Sequence, residues 1–223
     1  MLYIVATPVG NLKDITLRAL ETLKSVDLIL AEDTRITKRL LNHYEIDTPL
    51  RSYHTHNEHS ITNSIVEELK GGKEIALVSD AGTPGISDPG YLLVKACRDN
   101  GIKVIPVPGP AALIAALSAS GLPTDRFHFE GFLPHKKGRN KRWEFLKNYP
   151  HTIVLYESPY RIIKLLNEIC LNMGENTSVV IARELTKIHE EIINDSCINH
   201  LKRLKEKEKI KGEFVVIISA KNE

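Results

Sequence analysis

Ser79-Asp80-Ala81-Gly82-Thr83-Pro84-Gly85-Ile86-Ser87-Asp88-Pro89-Gly90 is the stretch on which the reading of the whole chain turns. An apolar run, Glu74–Val78, leads into it, and a helical pattern opens behind it at Tyr91. Three glycines and two prolines in twelve residues exclude regular structure. They leave backbone N–H groups open to close approach by a ligand. Asp80 and Asp88 are held in the same segment. A structured loop at the carboxyl end of a parallel strand is where open α/β sheets bind small molecules.

Working outward, strand and helix signals alternate through the first half. Apolar runs at Leu2–Ala6, Val26–Ala31, Ile75–Val78 and Val104–Val107 are separated by helical patterns near Thr16–Lys24, Ile61–Lys70 and Tyr91–Asn100. Continuous apolar strands alternating with helices predict an α/β fold whose parallel sheet is covered on both faces. A small-residue helix, Ala111–Ser120, ends at Gly121-Leu122-Pro123, which predicts two α/β domains, residues 1–121 and 122–223. Beyond it, strands are expected at Phe127–Glu130, Thr152–Tyr156, Ser178–Arg183, His189–Ile193 and Phe214–Ser219. The short link Glu184–Ile188 leaves no room for a crossover helix, so that pair is expected antiparallel and the second sheet mixed.

The 223 residues, 42% of them hydrophobic, suffice for one large or two modest cores. A net charge of +2 excludes a whole-molecule polyanion binder and confines any nucleic-acid contact to a local patch. Cys97, Cys170 and Cys197 are odd in number and far apart, so neither a disulfide framework nor a zinc cluster is expected, consistent with a reducing cytoplasm. Met1–Ala6 reads as a first strand rather than a leader, and no run approaches the roughly 20 apolar residues that span a bilayer. A cytoplasmic protein without membrane contact is expected.

Two further Gly/Pro loops follow strands: Thr7-Pro8-Val9-Gly10-Asn11-Leu12, and Pro106-Val107-Pro108-Gly109-Pro110-Ala111-Ala112, which opens a helix whose free N–H groups could hold a carboxylate. Neither is a dinucleotide fingerprint or a P-loop. Ala31-Glu32-Asp33-Thr34-Arg35 follows the second strand. Its acids also read as an N-cap, whereas Arg35 opposes the helix dipole and is better used on a phosphate or an internal carboxylate. Phe132–Trp143 gathers Lys136, Lys137, Arg139, Lys141 and Arg142 with aromatics, which favours gripping a phosphate backbone over the alternative of a solvated helix face. Lys202–Lys211 alternates signs and reads as a solvated amphipathic helix.

These segments, together with Glu157-Ser158-Pro159-Tyr160-Arg161, Arg183-Glu184-Leu185-Thr186-Lys187 and Lys211-Gly212-Glu213, resemble in order the motifs of the tetrapyrrole methylase superfamily. Within it they resemble those members that methylate the 2′-hydroxyl of a decoding-region cytidine in 16S ribosomal RNA of the small ribosomal subunit. The resemblance implies S-adenosylmethionine as methyl donor, bound folded between two α/β domains, and a homodimer. It assigns cofactor contacts to Pro8, Val9, Asp80, Ala81, Gly82, Thr83, Ala111, Ala112, Tyr156, Leu185 and Gly212. Ser79 and Ala81 stand where many members have Gly and Pro. The alternative within the fold is methylation of a tetrapyrrole or another small molecule; the basic segment argues against it. For RNA, Arg35, Lys136, Lys137, Arg139, Lys141 and Arg142 are the expected contacts.

A ribose hydroxyl is a weak acid, so attack on a methyl group benefits from a base. Asp33, Asp88, His54, His56 and Glu58 form the pool. If the chain is extended at Ser52–His59, His54 and His56 point the same way, an arrangement open to metal binding, substrate contact or a plain surface loop. Methyl transfer from a sulfonium needs no metal, and none is expected.

Overall fold

In the computed structural model, which describes residues 1–219, the chain forms two compact units, Met1–Ala111 and Ala112–Glu223. The first contains β1 (Leu2–Val5), α1 (Leu17–Ser25), β2 (Leu28–Ala31), α2 (Thr34–His43), β3 (Leu50–Ser52), α3 (Glu58–Lys70), β4 (Ile75–Val78), α4 (Tyr91–Asp99) and β5 (Val104–Val107). The strands pair in the order β3-β2-β4-β1-β5, every pairing parallel. Side-chain alternation splits each strand between two cores. Leu28, Leu30, Ile75 and Leu77 pack with Ile65, Leu69, Leu93 and Cys97 from α3 and α4. Ile29, Ala31, Ala76 and Val78 pack on the other face with Leu23 and Leu41 from α1 and α2.

Two elements of this unit carry little sequence signal. β3 has three residues, too few for a period to show. α2 is polar except at Ile36, Leu40 and Leu41, and it starts because the Asp33 side chain accepts a hydrogen bond from the Arg35 N–H. Of the alternatives open for residues 52–59, the extended one is not adopted. The strand ends at Ser52, because the Asn57 amide accepts from the His54 N–H at 2.8 Å and donates to the Ser52 carbonyl at 3.1 Å. His54 and His56 therefore sit in the turn that enters α3.

The second unit contains α5 (Ala112–Ser118), β6 (Phe127–Phe132), α6 (Arg139–Leu146), β7 (Thr152–Glu157), α7 (Ile162–Met173), β8 (Ser178–Arg183), β9 (Glu191–Ser196), α8 (Cys197–Lys205) and β10 (Phe214–Ile218). Its sheet, in the order β6-β7-β10-β8-β9, is mixed: β6 and β7 are parallel, and the remaining pairs are antiparallel. Leu113, Ala116 and Leu117 of α5 pack with Val154, Val180 and Ile217. The unit accordingly begins ahead of α5, before the Gly121-Leu122-Pro123 break that punctuates the sequence. β9 starts at Glu191 rather than His189, because the Glu190 carboxylate accepts from the Thr186 N–H at 2.6 Å and keeps the residues between in the hairpin turn.

Three further expectations are revised. α8 ends at Lys205, and its inner face buries His200, Leu201 and Leu204, so the run Lys202–Lys211 is not one solvated helix. Cys170 and Cys197 lie side by side, with Cα atoms 5.8 Å apart, because α7 packs against α8; a sequence separation of 27 concealed this proximity. Among the described residues no helix is long and apolar enough to cross a membrane.

The third revision concerns Arg139, which is 3% exposed. Its guanidinium bonds both oxygens of Glu168 at 2.6–2.9 Å, and the Trp143 indole N–H donates to the same carboxylate. Breaking a buried pair leaves an uncompensated charge, so Glu168→Ala is expected to cost about 3 kcal/mol in urea unfolding. Replacing both partners, as Arg139→Met with Glu168→Leu, is expected to recover most of that loss.

Candidate functional site

All five strands of the first sheet point the same way, so their carboxyl ends deliver five loops to one edge. Three of these loops are fastened together. Thr7, just past β1, exchanges backbone hydrogen bonds with Gly82 in the loop after β4, at 2.8 and 3.0 Å. The Thr7 hydroxyl donates to the Ser79 carbonyl at 3.0 Å. The Thr83 hydroxyl donates to the carbonyl of Pro110, after β5, at 3.1 Å. Gly90 has φ 142°, and a Cβ there would lie 2.9 Å from Leu77 Cδ2, so no other residue closes this loop without displacing the core. A pocket runs along this frame, walled by Thr7, Pro8, Leu12, Ile36, Arg39 and Asp80.

Acidic groups gather beside the frame. Glu32 follows β2, while Asp80 and Asp88 follow β4. The two strands are neighbours, with Ala31 opposite Val78. The Asp33 N–H donates to Asp80 Oδ1 at 2.9 Å and locks the two loops in register. Burial pushes the Glu32 carboxyl up to about 7, helped by the negative fields of Asp88, Asp80 and Asp33. Burial likewise raises Asp88 to about 6, a Ser79 hydrogen bond opposing and the Asp80 charge assisting. Burial also raises Asp80, against the Asp33 N–H.

Asp33 is different. The Arg35 side chain and N–H hold it down at about 2, with guanidinium contacts of 2.6–3.2 Å. Asp33 is thus an ionised helix cap and a poor proton acceptor, and Arg35, its side chain 85% exposed, pairs with it at the surface. His56 lies in the turn after β3, its ring edge-on to His54 at 5.8 Å. Glu58 sits in the first turn of α3. His54 Nδ1 is buried and has no hydrogen-bond partner among the described residues. Glu32 was absent from the pool of candidate bases. The available signal was an acid directly after an all-apolar strand, next to a second strand that also runs into an acidic loop.

Within the second unit, Tyr156, Leu185 and Gly212 converge on one edge of the sheet, since Phe214 pairs with both Glu157 and Arg183. Tyr156 Oη accepts from the Leu113 N–H at 3.1 Å. Gly212 has φ 99°, and a Cβ would fall 2.6 Å from Glu184 Cγ. Of the five cations in the basic segment, Lys136, Lys137 and Lys141 are exposed. Arg139 is buried as described, and Arg142 pairs with Glu130 and lies over the Phe145 ring. Burial withdraws Arg139 from the surface and from its expected phosphate contact, whereas Arg142 keeps 39% of its side chain exposed beside Glu130.

Residues 1–197 match the family model described as Tetrapyrrole (Corrin/Porphyrin) Methylases. The chain belongs to this family. Among curated relatives it is similar to Ribosomal RNA small subunit methyltransferase I of Escherichia coli O157:H7, 52% identical over 219 residues that cover 97% of this chain and 77% of that protein. The protein of the same description from Synechocystis sp. is 51% identical over 220 residues, covering 98% and 78%. Among solved structures, diphthine synthase aligns with a TM-score of 0.77 at 15% identity, covering 98% of this chain and 89% of that one. Uroporphyrin-III-C-methyltransferase from Thermus thermophilus aligns with a TM-score of 0.67 at 19% identity, covering 98% and 93%. At such identities the family likeness is one of fold.

The acid cluster makes a pH-dependent stability measurable. A carboxyl raised from 4.5 to about 7 on folding binds more protons in the native than in the unfolded chain between those values. Stability therefore falls as pH rises across that window. Glu32→Gln is expected to raise the melting temperature at pH 8, with the gain shrinking towards pH 4, as read by thermal unfolding at both pH values.

Proposed function

We propose that this chain transfers a methyl group from S-adenosylmethionine to the ribose 2′-hydroxyl of a cytidine in the decoding region of 16S ribosomal RNA. About half of its residues are identical, over nearly its whole length, to those of proteins described as Ribosomal RNA small subunit methyltransferase I, which supports RNA over a tetrapyrrole as substrate. The observation that carries the chemistry is the gathering of Glu32, Asp80 and Asp88 at the ends of neighbouring strands beside the fastened loops, where burial raises the Glu32 carboxyl.

The residues present suit the cofactor. S-adenosylmethionine carries a positive sulfonium, and the edge offers the carboxylates of Glu32, Asp80 and Asp88. An added Cβ at Gly85 would meet nothing within 4 Å, so the backbone there is open to a ligand. Pro8, Val9, Asp80–Thr83 and Ala111 would hold it, and when bound it supplies an electrophilic methyl group. Glu32 would accept the 2′ proton as the hydroxyl oxygen takes the methyl group. Asp88 and Asp80 keep that carboxyl's proton affinity near the working pH, where a general base is most effective. His56, in the turn after the neighbouring β3, and Glu58, at the start of α3, contact the RNA in this reading, as do Lys136, Lys137 and Lys141. The enzyme works as a cytoplasmic homodimer, a form common among oligomers.

Incubation with labelled cofactor and naked 16S rRNA, small subunits or a tetrapyrrole tests the assignment; label in the tetrapyrrole alone would overturn it. Ala111→Phe is expected to abolish cofactor binding in titration calorimetry while leaving the melting curve unchanged. Glu32→Gln is expected to lower kcat roughly 10²–10⁴-fold, more than it lowers cofactor affinity. In the wild type kcat should rise with pH through about 7. Asp88→Asn, which removes a like charge, should move that rise to lower pH. A wild-type kcat in Glu32→Gln would remove Glu32 as the base.

A further inference from the structure

β6 and β7 are parallel neighbours, so the loops that leave them, residues 133–138 and 158–161, emerge side by side. Arginines tie these loops together from within. Arg161 Nε pairs with Glu157 Oε1 at 2.7 Å, and that carboxylate also accepts the Ser158 N–H at 2.8 Å. Arg161 Nη1 crosses to the Leu133 carbonyl at 3.2 Å. Arg139 reaches the same carbonyl at 3.4 Å and that of Pro134 at 2.8 Å. Both guanidiniums are engaged inside the protein, where they position backbone.

What the frame holds outward is different in kind. Tyr160, between Pro159 and Arg161, is 94% exposed. Lys136 and Lys137 are exposed on the adjoining loop, and neither forms an ion pair among the described residues. Residues 131–143 and 158–161 contain no Asp or Glu. An aromatic ring left in water on a braced loop, beside lysines with no local counter-charge, has the make-up of a single-strand binding platform: an aromatic face for a base, and cations for the backbone.

The geometry points to this edge of the second unit as a stacking seat for an unpaired RNA base. Tyr160 takes the face of the base, and Lys136 and Lys137 take the phosphates beside it. The inference rests on the RNA reading above and adds to it a contact that every base can make, because each presents a π face.

Stacking and ion pairing separate by their salt dependence. The test measures binding of the full chain to a labelled single-stranded RNA oligonucleotide and to isolated small subunits at several salt concentrations. Tyr160→Ala is expected to weaken binding roughly 5- to 150-fold, by a similar factor at every salt concentration. Tyr160→Phe keeps the ring and should bind like the wild type. Lys136→Ala/Lys137→Ala should lower the salt slope by about two contacts' worth. Cofactor affinity and sedimentation mass should be unchanged in all three variants. Wild-type RNA affinity in Tyr160→Ala overturns the stacking seat and leaves the methyltransferase reading standing. So does a changed sedimentation mass, which would place Tyr160 between copies of the chain. A wild-type protein that neither binds nor labels RNA overturns both.

Discussion

The paired backbone hydrogen bonds between Thr7 and Gly82 hold the first unit's chemistry in place. Parallel strands bring five loops to one edge, but loops are entropically free until something fixes them. Thr7 and Gly82 form a one-residue antiparallel bridge beyond the end of the parallel sheet. It joins the loop after β1 to the loop after β4, and the Thr83 hydroxyl carries the connection on to the loop after β5. The glycines in this region allow the backbone to turn where a side chain would strike the core, as Gly90 does against Leu77.

The electrostatics follow from the same geometry. Neighbouring strands that both end in acids place Glu32, Asp80 and Asp88 within each other's fields, and half-burial prevents water from screening them. Such an arrangement opposes folding at neutral pH, and strain of this kind concentrates where function requires it. Asp33, one residue from Glu32, shows how local the effect is. Bonded to Arg35, it stays ionised far below neutrality. Adjacent carboxylates in one sequence motif thus have opposite tendencies, set by which side of the chain each one faces.

Cations in the second unit divide in a comparable way. Arg139, Arg142 and Arg161 use their planar forks on Glu168, Glu130 and Glu157, while the lysines of the same segments stay in water. Guanidinium suits this internal role, because several donors in a fixed plane satisfy a carboxylate and neighbouring carbonyls at once. A count of positive charges along the sequence cannot make this distinction; the partners lie as far away as Glu168 on α7.

The sequence alone determined the alternation of strands and helices, the parallel character of the first sheet, the mixed character of the second and the positions of the Gly/Pro loops. These are local consequences of apolar periodicity and turn chemistry, and they are written within a few residues of where they act. The family motifs extended that reading to a methyl donor and an RNA substrate. Only the tertiary structure decided the rest. It assigned α5 to the second unit through Leu113 and Leu117, ended β3 before the histidines, and brought Cys170 beside Cys197. It also set Glu32 apart from Asp33 and buried Arg139. In each case the deciding neighbour is remote in the chain, so burial and electric field, which depend on distance in space, are fixed only when the chain has folded.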